Sequence, residues 1–274
     1  MADIAITEST PAASTVAAAS ETRLAVCFDA AAATDAGRSR GHNEDNWCLA
    51  PDLGLLALAD GMGGYNAGEV ASSLAIDSLV GYLRAEVAAD GAADPLDLLA
   101  RGIGAANASI LAAAARRPEC LGMGTTMAAA WMLGSRLYYA HVGDSRIYLV
   151  RGDRLARLTR DHSVGQAMID AGMSEAASTR RGALRGVLTR ALGVEPSVEP
   201  TFGELALEPG DTLLLCTDGL TDLVADAGIA RLLLAHPGPS ERAKALVAAA
   251  LDAGGYDNVT VIVALPRDAV AACP

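Results

Sequence analysis

The sequence predicts a layered α+β domain in which helices cover antiparallel sheets. Three observations carry that reading. The elements run strands, two helices, strands, two helices, strand; short glycine turns join the strand runs; and regular strand–helix–strand alternation is missing. About a fifth of the 274 residues are alanine and only 4% are aromatic, so the core has to be built from small side chains packed closely.

Taken in order, residues 24–33 form an apolar run that predicts a strand, and TDAGRSRGHNED (34–45) is a polar loop. Residues 46–60 read as two short strands around the Pro51-Asp52 turn. From Asn66 to about Ala89 the apolar residues Val70, Leu74, Ile76, Leu79, Val80 and Leu83 fall at helical spacing. A second helix runs from Pro95 to about Arg117, opened by Asp94-Pro95. The runs 125–133, 137–142 and 146–151 follow with glycine turns between them and predict an antiparallel meander, ending in a tight Gly152-Asp153 turn. Residues 161–193 are polar, Arg-rich and weakly periodic, with one short helix at 163–171, and read as an appended flap. Strands at 198–205 and 211–216, helices at 226–234 and 240–253, and a strand at 259–265 complete the chain.

Composition narrows the function. The formal net charge is −12 and the pI about 4.7, which argues against a nucleic-acid binder, since those proteins rely on basic side chains against phosphates. Lys244 is the only lysine, so Schiff-base or phosphate-loop lysine chemistry is excluded. Residues 1–22 are rich in Ala, Ser and Thr without periodicity and are expected to be a disordered tail, with one folded domain over 23–267 and a short tail over 268–274. Asp3 and Glu8 replace the basic start of a secretory signal, and no apolar run approaches the roughly 18 residues that span a bilayer. Cysteines 27, 48, 120, 216 and 273 are odd in number, widely spaced and without C-x-x-C, as expected of reduced thiols in the cytoplasm.

Four aspartates share a context. Asp60 in LLALADGMGG, Asp144 in AHVGDSR and Asp218 in LLLCTDGL each close an apolar run, and Asp257 in GGYDNVTVIV precedes one. Each alone is an ordinary turn former. Together at strand ends they would converge on one cleft, repel one another and call for hard divalent cations such as Mg²⁺ or Mn²⁺. The segment Arg40-Gly-His-Asn-Glu-Asp45 adds a guanidinium suited to gripping phosphate from two sides, along with two further acids. Other chemistries fail on inspection. A C-x₅-R phosphate loop is absent, because the residues six beyond Cys27, Cys48, Cys120 and Cys216 are Ala33, Gly54, Thr126 and Asp222. G-x-x-x-x-G-K-[ST] and G-x-S-x-G are absent too. Of the four histidines, His141, His162 and His236 read as structural, and His42, between Arg40 and Glu44, is placed for proton transfer.

The segments TDAGRSRGHNED, LADGMGGYNAGEVAS, GMGTTMAAA, AHVGDSRIYLVRGDRLARLTRDHS, LTRALG, GDTLLLCTDGLTD and YDNVTVIV, in that order, resemble the bacterial PP2C (PPM) metal-dependent serine/threonine phosphatases. The resemblance implies a four-layer αββα sandwich, two antiparallel sheets flanked by helix pairs, with the metal site at one end. It implies that Asp60 bridges two Mn²⁺ or Mg²⁺ ions together with the Gly61 carbonyl, and that Asp218 and Asp257 complete the core site. Asp144 would serve a possible third ion. Glu44 and Asp45 would act on metal-bound waters, Arg40 would hold the substrate phosphate, and a metal-bridging water would attack phosphorus. Where eukaryotic members carry a proton-donating histidine this chain has Met62, which leaves metal-bound water or His42 as the donor. The implied substrates are phosphoserine and phosphothreonine proteins, with an opposing Ser/Thr kinase as partner and no nucleic acid or membrane; a monomer is expected. A silent PP2C-like scaffold would be expected to lack a metal aspartate, and a Mg²⁺-dependent nucleotide-binding enzyme would need a phosphate loop.

Overall fold

The computed structural model describes residues 7–8, 28–63, 67–89, 93–173 and 186–267. Its first sheet contains β1 (Thr7–Glu8), β3 (Asp45–Ala50), β4 (Leu55–Met62), β5 (Gly124–Thr125), β6 (Met127–Leu133), β7 (Arg136–Val142) and β10 (Thr201–Ala206). They run in the order β1-β10-β7-β6-β4-β3, with β5 off β4. The second sheet orders β2 (Phe28–Asp35), β12 (Val259–Pro266), β11 (Thr212–Cys216), β8 (Arg146–Arg151) and β9 (Arg154–Arg157). All pairings are antiparallel.

Strand alternation explains the layers. In β4, Leu56 and Leu58 face the second sheet, where they meet Ile147, Leu213, Leu215 and Ile262, while Leu55, Ala57 and Ala59 face a helix layer. That layer is α1 (Ala67–Ala88) and α2 (Pro95–Arg116), which contribute Leu79, Leu83, Leu99 and Ile103. On the far side, Leu214, Cys216, Tyr148 and Val261 pack under α5 (Asp226–Ala235) and α6 (Pro239–Asp252) through Ile229, Leu233 and Leu246. Both faces of each central strand are covered, which is why these strands read as continuous apolar runs. The result is the four-layer αββα sandwich.

Helix α2 starts where the sequence places it, because Asp94 caps it by accepting from the Leu96 N–H at 3.1 Å and Pro95 occupies the first turn. It is the one described helix long and apolar enough to cross a membrane by length and composition. Its Leu98, Leu99, Ile103 and Ile110 are fully buried in the helix-side core.

The structure departs from the sequence reading in four places. The meander breaks after β7: β8 pairs with β11 and β9 in the other sheet, because the turn at Gly143, with φ +98°, carries the chain across the sandwich. The stretch after Gly152-Asp153 is a strand, β9, that edges the second sheet. One helical turn, α4 (Asp218–Thr221), follows β11. Of the tail expected to be disordered, Thr7 and Glu8 instead pair with Glu204 and Gly203, using the backbone groups that an edge strand leaves open. The rest of residues 1–22, the tail at 268–274, and residues 174–185 of the flap lie outside the described residues. The flap's helix, α3 (Val164–Asp170), is capped by Ser163.

Leu215 sits between the two sheets with no exposed surface. Leu215→Ala is expected to lower unfolding stability by about 2–5 kcal/mol, read from urea denaturation with the slope unchanged. A loss below about 1 kcal/mol would mean that this layer repacks freely.

Candidate metal centre and active site

Register gathers the acids at one end of both sheets. Asp45 opens β3 directly opposite Asp60 near the end of β4. In the second sheet Cys216 pairs with Arg146 on one side and Val261 on the other. Asp218 just after β11, Asp144 just before β8 and Asp257 just before β12 therefore emerge together. A cavity of about 220 Å³ is lined by Arg40, Glu44, Asp60, Gly61, Met62, Thr126, Asp144, Asp218, Asp257 and Asn258, among others. An adjoining cavity of about 310 Å³ shares Asp144, Asp218 and Gly186 and extends under α3 past Arg146, Asp161 and Asp222.

Burial and mutual repulsion push these carboxyls up from their ordinary range. Asp60 is raised strongly, by burial first and then by Asp45, Asp218, Asp144 and Asp257. Asp144 rises to about 8 through burial, Asp218 and Asp161. Asp218 rises to about 6 through burial, Asp222 and Asp257, and it shares a hydrogen bond with Asp60 that pulls the other way. Asp45 rises to about 7, with burial the main cause and Asp218 and Asp257 adding to it.

The donor set fits hard divalent cations. It consists of carboxylate oxygens and the backbone at Gly61, and a buried Asp45 oxygen, Oδ1, has no hydrogen-bond partner. Gly61 itself is obligatory: a Cβ there would collide with the Gly68 carbonyl and lie 2.6 Å from the Glu44 carbonyl. That close crossing pins the Asp60-Gly61 strand end against the start of α1. Among the described residues no three His, Cys, Asp or Glu side chains are already gathered tightly enough to clasp one ion. The acids line the cavity walls instead, leaving space between them for cations with their waters.

The other sequence-predicted residues fall out as follows. Arg40 lines the cavity, but its guanidinium pairs with Asp257 at 2.7 Å, so an entering phosphate would compete with that carboxylate. Glu44 lines the cavity and its carboxylate lies against Gly68 in the first turn of α1. Asp45 Oδ2 accepts from the Thr217 hydroxyl at 3.0 Å. His42 is exposed and is not among the residues lining the cavity; its carbonyl accepts from Asn258. Met62 lines the cavity and offers no proton.

Two positioning groups escape the sequence reading. Buried Asn258 uses its whole amide on the loop before β3: Nδ2 donates to the Ala36 and His42 carbonyls at 2.9 and 2.8 Å, and Oδ1 accepts from the Glu44 N–H at 2.8 Å. It therefore docks the Arg40–Glu44 segment on the Asp257 strand end. Buried Thr126 accepts from the Asp60 N–H at 2.9 Å and bonds the Ser145 hydroxyl at 2.7 Å, which ties the Asp60 backbone to the side chain next to Asp144. The available signal is polarity itself, a Thr in an Ala-rich strand and an Asn after Asp257, but each reads locally as an ordinary strand or turn residue.

A carboxylate cleft at one end of a four-layer αββα sandwich, with an arginine at its rim, is a candidate site for divalent cations and a phosphate group. The chain belongs to the protein phosphatase 2C family, whose model matches residues 38–251. Serine/threonine protein phosphatase PstP of Mycobacterium tuberculosis is 40% identical over 242 residues, covering 88% of this chain and 46% of that protein. This chain thus spans about half the length of the mycobacterial relative. Serine/threonine phosphatase stp of Listeria innocua is 37% identical over 232 residues, covering 84% of this chain and 92% of that one. The catalytic domain of PstP, solved in complex with two manganese ions, superposes with TM-score 0.77 at 40% identity, covering 88% and 99% of the two chains.

The raised carboxyls set a pH dependence. Each binds its proton more tightly folded than unfolded, so the stability it lends is full below the ordinary carboxylate value of about 4. That stability is lost as pH rises through the values of about 6, 7 and 8 at Asp218, Asp45 and Asp144. Chelator-treated protein should melt at lower temperature at pH 8 than at pH 5, and saturating Mn²⁺ should flatten that slope. A melting temperature that rises with pH in chelator would contradict the assignment.

Proposed function

We propose that the chain is a metal-dependent protein phosphatase that hydrolyses phosphoserine and phosphothreonine monoesters. The observation that supports it best is the oxygen-only donor set, Asp60, Gly61, Asp218 and Asp257, at one cavity with Arg40 at the rim. Two Mn²⁺ or Mg²⁺ ions would be held there by Asp60, Gly61, Asp218 and Asp257, and Asp144 would serve a third. Bound divalent cations would supply Lewis acidity and a deprotonated water near neutral pH.

The chain's own residues do the rest. Arg40 orients the phosphate by exchanging Asp257 for two phosphate oxygens. Asp60, fixed by Thr126 and the crossing at Gly61, would hold the cations at a set place in the cleft. Glu44 and Asp45 order the surrounding waters. With Met62 inert and His42 outside the cavity lining, a water in the cleft delivers the proton to the leaving oxygen. The residues around α3, beside the adjoining cavity, meet the polypeptide that carries the phosphate.

The same proposal includes an opposing Ser/Thr kinase that supplies the phosphoproteins, action as a monomer, and a cytoplasmic site. Free cysteines at 48, 120 and 216 among the described residues are consistent with the last. The test is hydrolysis of a chromogenic phosphate ester and of a phosphothreonine peptide with Mn²⁺, with EDTA, and by Asp218→Asn. EDTA should abolish turnover, and Asp218→Asn should lower kcat/KM at least ~100-fold, about 2.7 kcal/mol of transition-state stabilisation. Full turnover in EDTA would sink the metal mechanism, and no turnover in Mn²⁺ would favour a silent scaffold.

A further inference from the structure

His162 lies at the base of the flap and has no part in the chemistry above, yet it is bonded on every side. Its backbone N–H donates to the Gly143 carbonyl at 2.8 Å, and the Gly143 N–H donates back to its ring Nδ1 at 3.2 Å. Its own carbonyl accepts from the Thr189 N–H at 2.8 Å, and its Nε2 meets the Thr201 hydroxyl at 2.9 Å. The ring stacks on buried His141, with centroids 4.5 Å apart.

The Gly143 N–H at Nδ1 calls for a lone pair on that nitrogen of a neutral ring, while Nε2 faces the Thr201 hydroxyl at 2.9 Å and the Arg190 guanidinium at 3.4 Å. Burial, His141 and Arg190 all hold the imidazole in that uncharged form, with its pKa down to about 3. The neighbouring backbone extends the tie. Val164 N–H donates to the Val187 carbonyl, and Ser163 bridges Leu188, whose side chain lines the metal cavity. On the other side, Gly143 immediately precedes Asp144. Any side chain at Gly143 would press on Thr126, bringing its Cβ to 2.6 Å from the Thr126 Cγ2.

We propose that His162 is a positioning residue that locks the Asp144 turn to the returning limb of the flap, so that the Asp144 carboxylate and the Leu188 wall of the cleft are set together. This rests on the metal-site reading of the proposed function. The critical group is the Nδ1 acceptor, because losing it leaves the buried Gly143 N–H unpaired and frees the turn. Nothing about the ring's own titration is required.

The test exploits amide side chains. In His162→Asn the Oδ1 stands near the Nδ1 position and keeps the acceptor, whereas His162→Gln reaches Thr201 and leaves Gly143 unpaired. Metal-stripped full chain is titrated with Mn²⁺ by calorimetry as wild type, Asp144→Asn, His162→Asn and His162→Gln. His162→Gln should lose the same weak uptake that Asp144→Asn loses, by ~10-fold or more in affinity, while the tight uptake stays and His162→Asn remains within ~3-fold of wild type. Amide exchange at Gly143 should quicken ~10-fold in His162→Gln and not in His162→Asn. Thr201→Val, which loosens only the far side of the ring, is run alongside in case His162→Gln does not fold, and should also quicken exchange at Gly143. Wild type without any Mn²⁺ uptake would overturn both this proposal and the phosphatase reading. Uptake indifferent to Asp144→Asn, the same isotherm for His162→Asn and His162→Gln, or unchanged Gly143 exchange in Thr201→Val would overturn this proposal alone.

Discussion

Mutual repulsion among aspartates 45, 60, 144, 218 and 257 is the constraint on which the rest of the structure depends. Each of the first four is raised by burial and by its neighbours among this set. At an effective dielectric of about 20, two unit charges 4 Å apart cost about 4 kcal/mol, a large share of the 5–15 kcal/mol that holds a typical domain together. A fold that collects five such groups needs compensating charge and rigid backbone anchors. The sandwich supplies the anchors by keeping the acids off the strand interiors, at turns whose ends are set by strand register.

Most of those anchors are neutral. Thr126 fixes the Asp60 N–H, Asn258 docks the loop that carries Arg40 and Glu44, Thr217 bonds Asp45, and His162 bonds the Gly143 turn. Hydroxyls, an amide and an uncharged imidazole orient the carboxylates without neutralising them. That choice has a physical logic. A lysine or arginine at each position would lower the local charge and remove the reason for a cation to bind. Neutral groups bond the backbone around the acids, as Thr126, Asn258 and His162 do, and where one meets a carboxylate directly, as Thr217 meets Asp45, it adds no charge.

How much of this the sequence discloses depends on the range of the signal. Strand and helix order are local patterns, and α1, α2, β6, β11, α5 and β12 fall within a few residues of where periodicity and capping place them. The aspartates are legible for the same reason, since each ends or precedes an apolar run. Sheet membership is not local. The runs ending at Val142 and beginning at Arg146 look like consecutive meander strands, and only pairing with β11 reveals that the Gly143 turn changes sheet. Asn258 and Thr126 act across 214 and 66 residues of sequence, distances at which a single chain carries no visible correlation. His42 fails for the converse reason. Its neighbours in sequence are functional candidates, but the loop turns its backbone, and not its ring, toward the site.

The charge count in the cleft then orders events. Around the smaller cavity one arginine, Arg40, faces the carboxylates of Glu44, Asp60, Asp144, Asp218 and Asp257. In the adjoining cavity Arg146 is held by both oxygens of Asp161, at 2.9 and 2.6 Å. The described guanidiniums lining these two cavities are therefore already engaged, Arg157 included through Gln166 and Asp161, and around the smaller cavity acids outnumber the one arginine five to one. Under the proposed function, a phosphate dianion approaching that surface would be repelled until divalent cations reverse the local sign, and Arg40 would then gain by leaving Asp257 for the ligand. Affinity for that substrate would thus be tied to cation loading by electrostatics, before any bond is made or broken. Under the proposed function, the acidity that argues against nucleic acid as a partner would also make the site receptive to a phosphate only after cations are bound.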